Sequence, residues 1–237
     1  MKYGLKILQN IDNLITYLFS NHAKENKFLK KFFKQKKIVF FDVGTNLGSY
    51  TDFVLKNNNT KEVHLFEPSK ECFKYLLNKY SQKKIIKNNK AVSSKKNIKT
   101  FYENEILSQS SLHNLKNKYN YNYNDIKKYK VKCISIDDYC NKINKKIFID
   151  LLKIDAEGED LNVLIGSKKM LKKKRIKLIK IELLNKINNV TKNSYFNDII
   201  FFLDKYNYHL VSIAKTKFDN ENLLMMDAYF CNKDHKL

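Results

Sequence analysis

Residues 40–50 read FFDVGTNLGSY, and this stretch decides the fold. It continues the apolar run that begins at Ile38, and it contains Gly44 and Gly48, two of only five glycines in the chain. The pattern predicts a buried strand over Ile38–Asp42 and a helix over Leu47–Lys56. A glycine turn between a strand and its helix lets a ligand approach the backbone, although a turn without a ligand has the same pattern. The stretch therefore predicts the first unit of an α/β domain, with a candidate binding site at the turn.

Strand and helix patterns alternate through the rest of the chain. The predicted strands are Val63–Glu67, Phe148–Asp155, Ile176–Leu184, Tyr208–Ala214 and Leu224–Cys231. The predicted helices are Ser69–Tyr80, with Ser69 as N-cap, Glu159–Leu171 and Tyr195–Tyr206. Such alternation indicates a largely parallel sheet covered by helices on both faces. At 237 residues, the chain is long enough for one domain of this kind.

Two segments stand apart from this alternation. Residues 5–19 place apolar side chains at helical spacing, which predicts an amphipathic helix. We expect an N-terminal helical extension, residues 1–35, ahead of a domain formed by residues 36–237. Its helix packs on the domain or on a partner, or it touches a membrane surface through residues 5–34. Residues 103–130, which include NKYNYNYNDIKKYK, are a low-complexity insertion.

The net charge is strongly basic, formally +22 from 46 basic and 24 acidic residues. This excess would suit a polyanion, but Arg175 is the only arginine, whereas guanidinium groups are the best readers of phosphates and bases. We interpret the lysines as a solvated surface, and a nucleic-acid partner is not favoured. The four cysteines show no CxxC spacing, no apolar run approaches the ~20 residues needed to span a bilayer, and the amino terminus lacks a signal-peptide layout. The sequence thus predicts a cytoplasmic protein with reduced thiols.

The acidic residues around the turn predict the kind of ligand. Glu67 ends the second strand, 23 residues after Gly44, where a carboxylate commonly holds a ribose diol. Asp42 precedes the turn and would repel a pyrophosphate, and GTNLG departs from the GxGxxG pattern of dinucleotide sites. A second acidic stretch, KIDAEGED at 153–160, places Asp155 at another strand end. S-adenosylmethionine, a nucleoside with a sulfonium and an ammonium and without phosphate, fits this pattern better than NAD.

Seven motifs occur in order along the chain: DVGTNLGSYT, LFEPS, NNKAVSS, SQSSL, SIDDYC, LLKIDAEGEDLNVLIGSKKML and IKIEL. Together they resemble the FkbM family of S-adenosylmethionine-dependent methyltransferases, over residues 38–184 and more loosely to 231. The resemblance implies a class I, Rossmann-like methyltransferase fold, with a seven-stranded, mostly parallel sheet whose last strand is antiparallel. It also implies O-methylation of a sugar, a glycan or a related hydroxylated small molecule.

The resemblance also implies roles for individual residues. The methionine end of the cofactor would be held by Asp42, Gly44, Asn46 and Gly48. The ribose would meet Glu67, the adenine would meet Asn89 and Ala91, and Asp155 would border the methyl group. From their positions near the expected methyl group, the candidate catalytic bases are Glu157, which is favoured, Glu182 and His113. Ser110, Ser111 and the tyrosines of 119–129 are candidate lid residues. No metal is expected, because the histidines are scattered and the carboxylates are assigned to an organic cation.

Two other functions remain open from the sequence. A nucleic-acid methyltransferase would account for the positive charge, and a nicotinamide-dependent oxidoreductase would share the topology. The identity of the acceptor and the oligomeric state are not indicated by any motif.

Overall fold

The computed structural model describes residues 22–114, 126–184 and 195–234. Its strands are β1 (Ile38–Val43), β2 (Thr60–Phe66), β3 (Ile85–Asn88), β4 (Ala91–Val92), β5 (Asn97–Glu103), β6 (Lys127–Ile134), β7 (Ile149–Ile154), β8 (Ile176–Leu184), β9 (Tyr208–Asp219) and β10 (Asn222–Asn232). Its helices are α1 (His22–Phe33), α2 (Ser49–Asn57), α3 (Lys70–Lys79), α4 (Ile136–Ile143), α5 (Asp160–Ile165), α6 (Lys168–Lys172) and α7 (Phe196–Asp204), and a 3-10 turn spans Leu107–Gln109. The helix predicted over residues 5–19 lies outside the described residues.

Seven strands form the main sheet in the order β3-β2-β1-β7-β8-β10-β9. All neighbouring pairs are parallel except those of β10, which is antiparallel to both β8 and β9. This confirms the predicted class I methyltransferase fold with one antiparallel strand. The chain winds outward from β1 through β2 and β3, and later outward on the other side from β7 through β8. The direction of winding reverses between β1 and β7. In sheets of this kind, ligands bind in the crevice at that point, outside the carboxyl ends of the strands.

The sheet is buried on both faces. One face carries Phe41, Leu152 and Ile179 in a core shared with α4, α5, α6 and α7. The opposite face carries Phe40, Leu151 and other apolar residues in a core shared with α1, α2 and α3. Both cores form because alternate residues of a strand point to opposite faces, so strands buried on both sides read as continuous apolar runs.

A second sheet, of three strands in the order β4-β6-β5, was not predicted. It has a small core of its own, Ala91, Phe101, Val131 and Cys133. It covers the carboxyl edge of the main sheet next to β2 and β7, so part of the segment interpreted as a low-complexity insertion is ordered structure. Residues 115–125 of that segment lie outside the described residues.

The prediction of one helix over Glu159–Leu171 is wrong, because the structure has two helices there, α5 and α6, on either side of Gly166 and Ser167. A Cβ at Gly166 would lie 2.3 Å from the carbonyl oxygen of Ser93, so the chain passes too close to another backbone segment for any side chain. The carboxylate of Asp137 accepts hydrogen bonds from the backbone N–H groups of Lys169 and Met170. These hydrogen bonds replace the helical hydrogen bonds that the break at Gly166 and Ser167 removes.

Helix α1, the described part of the N-terminal extension, packs on the main sheet. Leu29 and Phe33 are buried in the core on that face, and the buried carboxylate of Glu25 accepts a hydrogen bond from the Tyr229 hydroxyl of β10. No helix among the described residues is long and apolar enough to cross a membrane. The four cysteines are free thiols, and all are buried.

Candidate active site

A cleft with a cavity of about 170 Å³ opens at the carboxyl ends of β1, β2, β7 and β8. Its floor is formed by residues at these strand ends: Gly44, Asn46, Glu67, Asp155, Glu157 and Glu182. Its other wall comes from the second sheet and the loop that follows β5, with Ala91, Val92, Phe101, Leu107, Ser108, Ser110, Ser111 and Leu112. A further cavity of about 200 Å³ lies between β8, β10 and α7, but it is mainly apolar and its lining carries no carboxylate, lysine or histidine among the described residues. The cleft is therefore the candidate active site.

The glycine turn packs against the end of β7. Gly44 has φ +73°, and a Cβ on it would lie 1.8 Å from the carbonyl oxygen of Asp155. Gly48 has φ +82°, and its Cβ would meet the Tyr80 hydroxyl at 2.4 Å. At both positions, the need for glycine thus comes from contacts with other residues of the protein rather than from a ligand. Because Gly44 also lines the cleft, the same turn presents bare backbone to a ligand.

Asp42 lies beneath the turn and is fully buried. Its Oδ2 accepts a hydrogen bond of 2.6 Å from the Thr51 hydroxyl, and its Oδ1 lies 3.2 Å from Nζ of Lys153. Lys153 also approaches Asp155, at 3.3 Å, and donates a 2.8 Å hydrogen bond to the carbonyl oxygen of Gly44. Burial would lower the pKa of Lys153, but the two aspartates raise it above its usual value. This lysine, which sequence reasoning missed, therefore ties β1, the turn and β7 together as a cation.

Glu67 faces the cleft at the end of β2 and is only 5% exposed. Its Oε2 accepts a 2.7 Å hydrogen bond from the backbone N–H of Asn46, and its Oε1 accepts one of 2.8 Å from that of Ser69. Burial raises the pKa of Glu67 to about 7, even though both hydrogen bonds favour the charged form. The side-chain amide of Asn89 donates hydrogen bonds to the carbonyl oxygens of Glu67 and Pro68, and it thereby holds the backbone at the end of β2.

Three carboxylates line the cleft at the ends of β7 and β8: Asp155, Glu157 and Glu182. Glu157 has φ +48° and precedes Gly158 at φ +96°, so the chain turns sharply just after β7. The hydroxyl of Ser111 donates a 2.6 Å hydrogen bond to the Glu157 carbonyl oxygen and brings the SQSSL loop over this turn. The pKa of Glu182 is raised well above its usual value, first by burial and then by the negative charges of Asp155 and Glu157.

Glu159 is a buried carboxylate on the cleft that sequence reasoning assigned only to a helix start. Its Oε1 accepts hydrogen bonds from Ser93, at 2.5 Å, and from Lys99, and its Oε2 lies 2.8 Å from Nε2 of His113. Burial would raise the pKa of Glu159, but these three partners lower it to about 2. The partners come from three separate segments, so no local pattern could have predicted the cluster.

The structure brings together most of the residues predicted for the site. Gly44, Asn46, Glu67, Ala91, Asp155, Glu157 and Glu182 line one cleft. Of the other four, Asp42 and Gly48 are buried in or below the glycine turn, Asn89 donates hydrogen bonds to the backbone of Glu67 and Pro68, and His113 contacts Glu159. Among the described residues, no group of three or more histidine, cysteine, aspartate or glutamate side chains could hold a metal ion.

The sequence model of a protein family, the methyltransferase FkbM domain, matches residues 42–210 of this chain. The match covers the glycine turn, the end of β2 and the ends of β7 and β8, which are the elements that build the cleft. No curated protein matches the sequence significantly.

Among solved structures, the fold resembles a methyltransferase FkbM from Methylobacillus flagellatus, with a TM-score of 0.54 and 12% identity over 81% of this chain and 43% of that one. The present chain thus spans less than half of that protein. Two looser likenesses are an rRNA methylase from Streptococcus thermophilus and TrmK from M. capricolum in complex with S-adenosyl-homocysteine. The first has a TM-score of 0.48 and 10% identity over 88% of this chain and 94% of that one. The second has a TM-score of 0.43 and 13% identity over 86% of this chain and 67% of that one.

Proposed function

Because this chain belongs to the FkbM methyltransferase family, we propose that it transfers a methyl group from S-adenosylmethionine to a hydroxyl of a sugar, a glycan or a related small molecule. The observation that carries the choice of cofactor is the chemistry of the cleft floor. A buried carboxylate, Glu67, stands at the end of β2 beside a turn that presents bare backbone at Gly44. This combination suits a nucleoside, and family membership makes a nicotinamide-dependent oxidoreductase an unsuitable alternative.

The residues of the cleft fit S-adenosylmethionine. Each oxygen of Glu67 accepts one backbone hydrogen bond, which leaves lone pairs for the two hydroxyls of a ribose. Phe66, Ala91 and Val92 offer apolar surface next to this carboxylate for the adenine ring. On the far side, Asp155 and the backbone at Gly44 and Asn46 suit the charged methionine end. When bound, the cofactor supplies a methyl group on a positively charged sulfur.

Asp42 and Gly48 would act through the shape of the turn. Asp42 binds Lys153 and Thr51 beneath the turn, so its contribution to cofactor binding is to fix Gly44 and Asp155 in position. Gly48 is the N-cap residue of α2 and packs on Tyr80, and Asn89 holds the peptide between Glu67 and Pro68. We therefore assign these three residues to positioning the residues that line the cleft.

The acceptor would lie between β7, β8 and the SQSSL loop. A hydroxyl that accepts a methyl group must lose its proton, and a carboxylate within hydrogen-bond reach can take it, an effect worth roughly 10²- to 10⁴-fold in rate. Glu157 and Glu182 both face this part of the cleft, whereas His113 is engaged by Glu159. We assign Glu157 as the base, because the raised pKa of Glu182 reduces its charged fraction before ligands bind.

Transfer of radiolabelled methyl groups tests this function. The full chain is incubated with labelled S-adenosylmethionine and offered glycans and RNA side by side, with Glu157→Gln and Glu182→Gln in parallel. We expect label in the glycan and a loss of at least a hundredfold in the Glu157→Gln variant. Label that enters RNA in preference to glycan would contradict the sugar assignment, and full activity of Glu157→Gln would remove that residue as the base.

A further inference from the structure

Glu159 lies at the point where three parts of the cleft meet. It is the N-cap residue of α5, in the turn that follows β7, and it lines the cleft although it is fully buried. Its Oε1 accepts hydrogen bonds from Ser93, which follows β4, and from Lys99 of β5. Its Oε2 lies 2.8 Å from Nε2 of His113, in the loop that follows β5. One oxygen therefore binds the second sheet, and the other binds the loop.

The loop is held to the turn after β7 a second time, at Ser111. The Ser111 Oγ accepts a 3.0 Å hydrogen bond from the backbone N–H of His113 and donates one of 2.6 Å to the carbonyl oxygen of Glu157. Its backbone N–H and carbonyl oxygen form hydrogen bonds of 3.0 and 2.8 Å with the backbone of Tyr102. A chain of contacts thus runs from Glu159 through His113 and Ser111 to Glu157.

The far end of this chain is a backbone position that needs support. Glu157 has φ +48°, a conformation that a residue other than glycine keeps only where surrounding contacts hold it. The backbone at Glu157 sets the direction of its side chain, which lines the cleft. A displacement of about 1 Å of a group that takes part in a reaction can cost about a hundredfold in rate. The contacts that hold this backbone therefore affect the reaction in which Glu157 is the proposed base.

We propose that Glu159 and His113 are positioning residues for methyl transfer, which hold Glu157 in its reactive position through Ser111. The proposal rests on the proposed function, because it takes Glu157 as the base. The contacts of Glu159 with the second sheet fix the carboxylate, and its contact with His113 extends that support to the loop. The alternative is that Glu159 only joins the two sheets. Its partners would then affect the rate only as far as they affect stability.

Variants at His113 and Lys99 separate the two roles. His113→Ala removes the loop contact and leaves the second-sheet contacts of Glu159, whereas His113→Gln keeps an N–H donor for its Oε2. Lys99→Met removes a contact with the second sheet instead. Three quantities are compared: the rate of label transfer from saturating S-adenosylmethionine to the glycan that the wild type labels, the affinity for S-adenosylhomocysteine, and the melting temperature.

The expected pattern is a loss of rate that follows the loop contact. His113→Ala should lower the rate by at least about tenfold with the affinity for S-adenosylhomocysteine nearly unchanged, and His113→Gln should restore most of that rate. Lys99→Met should lower the melting temperature by several degrees. Its rate, measured well below that temperature, should fall less than that of His113→Ala.

Hydrogen exchange followed by mass spectrometry tests the chain of contacts without an acceptor. The backbone N–H of His113 donates to the Ser111 hydroxyl, and that of Ser111 donates to the carbonyl oxygen of Tyr102. With S-adenosylhomocysteine bound, a peptide that covers residues 105–114 should exchange faster in His113→Ala than in the wild type. The same peptide should exchange at close to the wild-type rate in His113→Gln.

The outcomes separate this proposal from the proposed function. A wild-type rate in His113→Ala would overturn the positioning role, and so would a loss of rate that His113→Gln does not restore. Rates that fall in proportion to the melting temperatures of the three variants would show that Glu159 only joins the sheets. Unchanged exchange in His113→Ala would overturn the proposal even where no acceptor is found. A wild-type protein that neither binds S-adenosylhomocysteine nor transfers label would instead contradict the proposed function.

Discussion

At the scale of single residues, the cleft is built by backbone positions with left-handed conformation. Gly44, Asn46, Glu157 and Gly158 all have positive φ, and they lie in the two turns that follow β1 and β7. For a residue other than glycine this conformation costs of order 1 kcal/mol, and surrounding contacts must hold it. Hydrogen bonds from Asn46 N–H to Glu67 and from the Ser111 hydroxyl to the Glu157 carbonyl oxygen provide such contacts.

Gly44→Ala should disrupt the turn. Its Cβ would lie 1.8 Å from the Asp155 carbonyl oxygen, a backbone atom that can move only with β7. We expect affinity for S-adenosylhomocysteine to fall at least tenfold in calorimetry, and the melting temperature to fall by several degrees. Gly48→Ala meets the end of a side chain instead, the Tyr80 hydroxyl, which can shift without moving a strand, so it should lower the affinity less than Gly44→Ala does. Wild-type affinity in Gly44→Ala would show that the turn does not shape the cofactor site.

Glu67 should make cofactor binding depend on pH. Its pKa of about 7 in the free protein means that it is partly protonated near neutrality, whereas two ribose hydroxyls would donate to the charged form. Affinity for S-adenosylhomocysteine should therefore fall as the pH drops below about 7, by up to tenfold per unit, and stay flat above it. Glu67→Gln should remove this dependence and weaken binding at pH 8 by roughly 1.5–3 kcal/mol. Titration calorimetry from pH 5.5 to 8.5 measures both, and a flat wild-type profile would contradict the assigned role.

The same carboxyl links pH to the stability of the protein without ligand. Its pKa in the folded state lies above the usual value near 4.5, so the folded state binds more protons between pH 4.5 and 7. Its contribution to stability is therefore fully present below pH 4.5 and is lost as the pH rises through about 7. Glu67→Gln should flatten this part of the stability profile.

At the scale of elements, the sequence predicted the parts whose signals are local. The apolar run, the glycine turn and the acidic strand ends identified β1, β2, β7 and β8 and, with them, most of the cleft floor. The second sheet was missed because β4 has only two residues and pairs with β6 across some 40 residues of chain. Yet residues 128–133 alternate lysine with Tyr129, Val131 and Cys133, which is the two-residue period of a half-buried strand. Lys153 and Glu159 could not have been assigned, because their roles depend on partners from distant segments.

Helix α1 should be an integral part of the domain, although the sequence predicted that the domain begins at residue 36. Leu29 and Phe33 bury their side chains against the sheet, and Glu25 binds Tyr229 and lies 3.8 Å from Lys180. Deleting residues 1–35 would expose this apolar face and leave Lys180 with one fewer carboxylate. We expect that deletion to lower the melting temperature by ten degrees or more, or to prevent soluble expression.

A deletion of residues 1–21 is the matched control, because it keeps every described contact of α1. Because the two deletions differ only in residues 22–35, this shorter deletion should lower the melting temperature less than removal of residues 1–35 does. Full stability after removal of residues 1–35 would show that α1 is dispensable and would support the boundary at residue 36.

At the scale of the whole molecule, charge is divided between surface and cleft. Lysines cover the outside, including Lys128, Lys130 and Lys132 on the solvent face of β6, while carboxylates line the cleft. An anionic polymer could therefore associate with the surface without entering the cleft. Attraction to RNA and methylation of RNA are separate properties of such a molecule.

This division predicts how the protein responds to salt. Contacts between lysines and phosphates release counterions, so RNA affinity should fall by about tenfold to a hundredfold between 50 and 200 mM salt. Affinity for S-adenosylhomocysteine should change less than about threefold over the same range, because the carboxylates proposed to hold it are partly buried and are screened less. Filter binding with a mixed tRNA pool measures the first quantity and calorimetry measures the second. Labelled S-adenosylmethionine added to the same tRNA should leave the RNA unlabelled at both salt concentrations. Methylation of the tRNA would show that an RNA substrate enters the cleft, and it would contradict the sugar assignment. Methylation that persists at 200 mM salt would be the strongest form of this result.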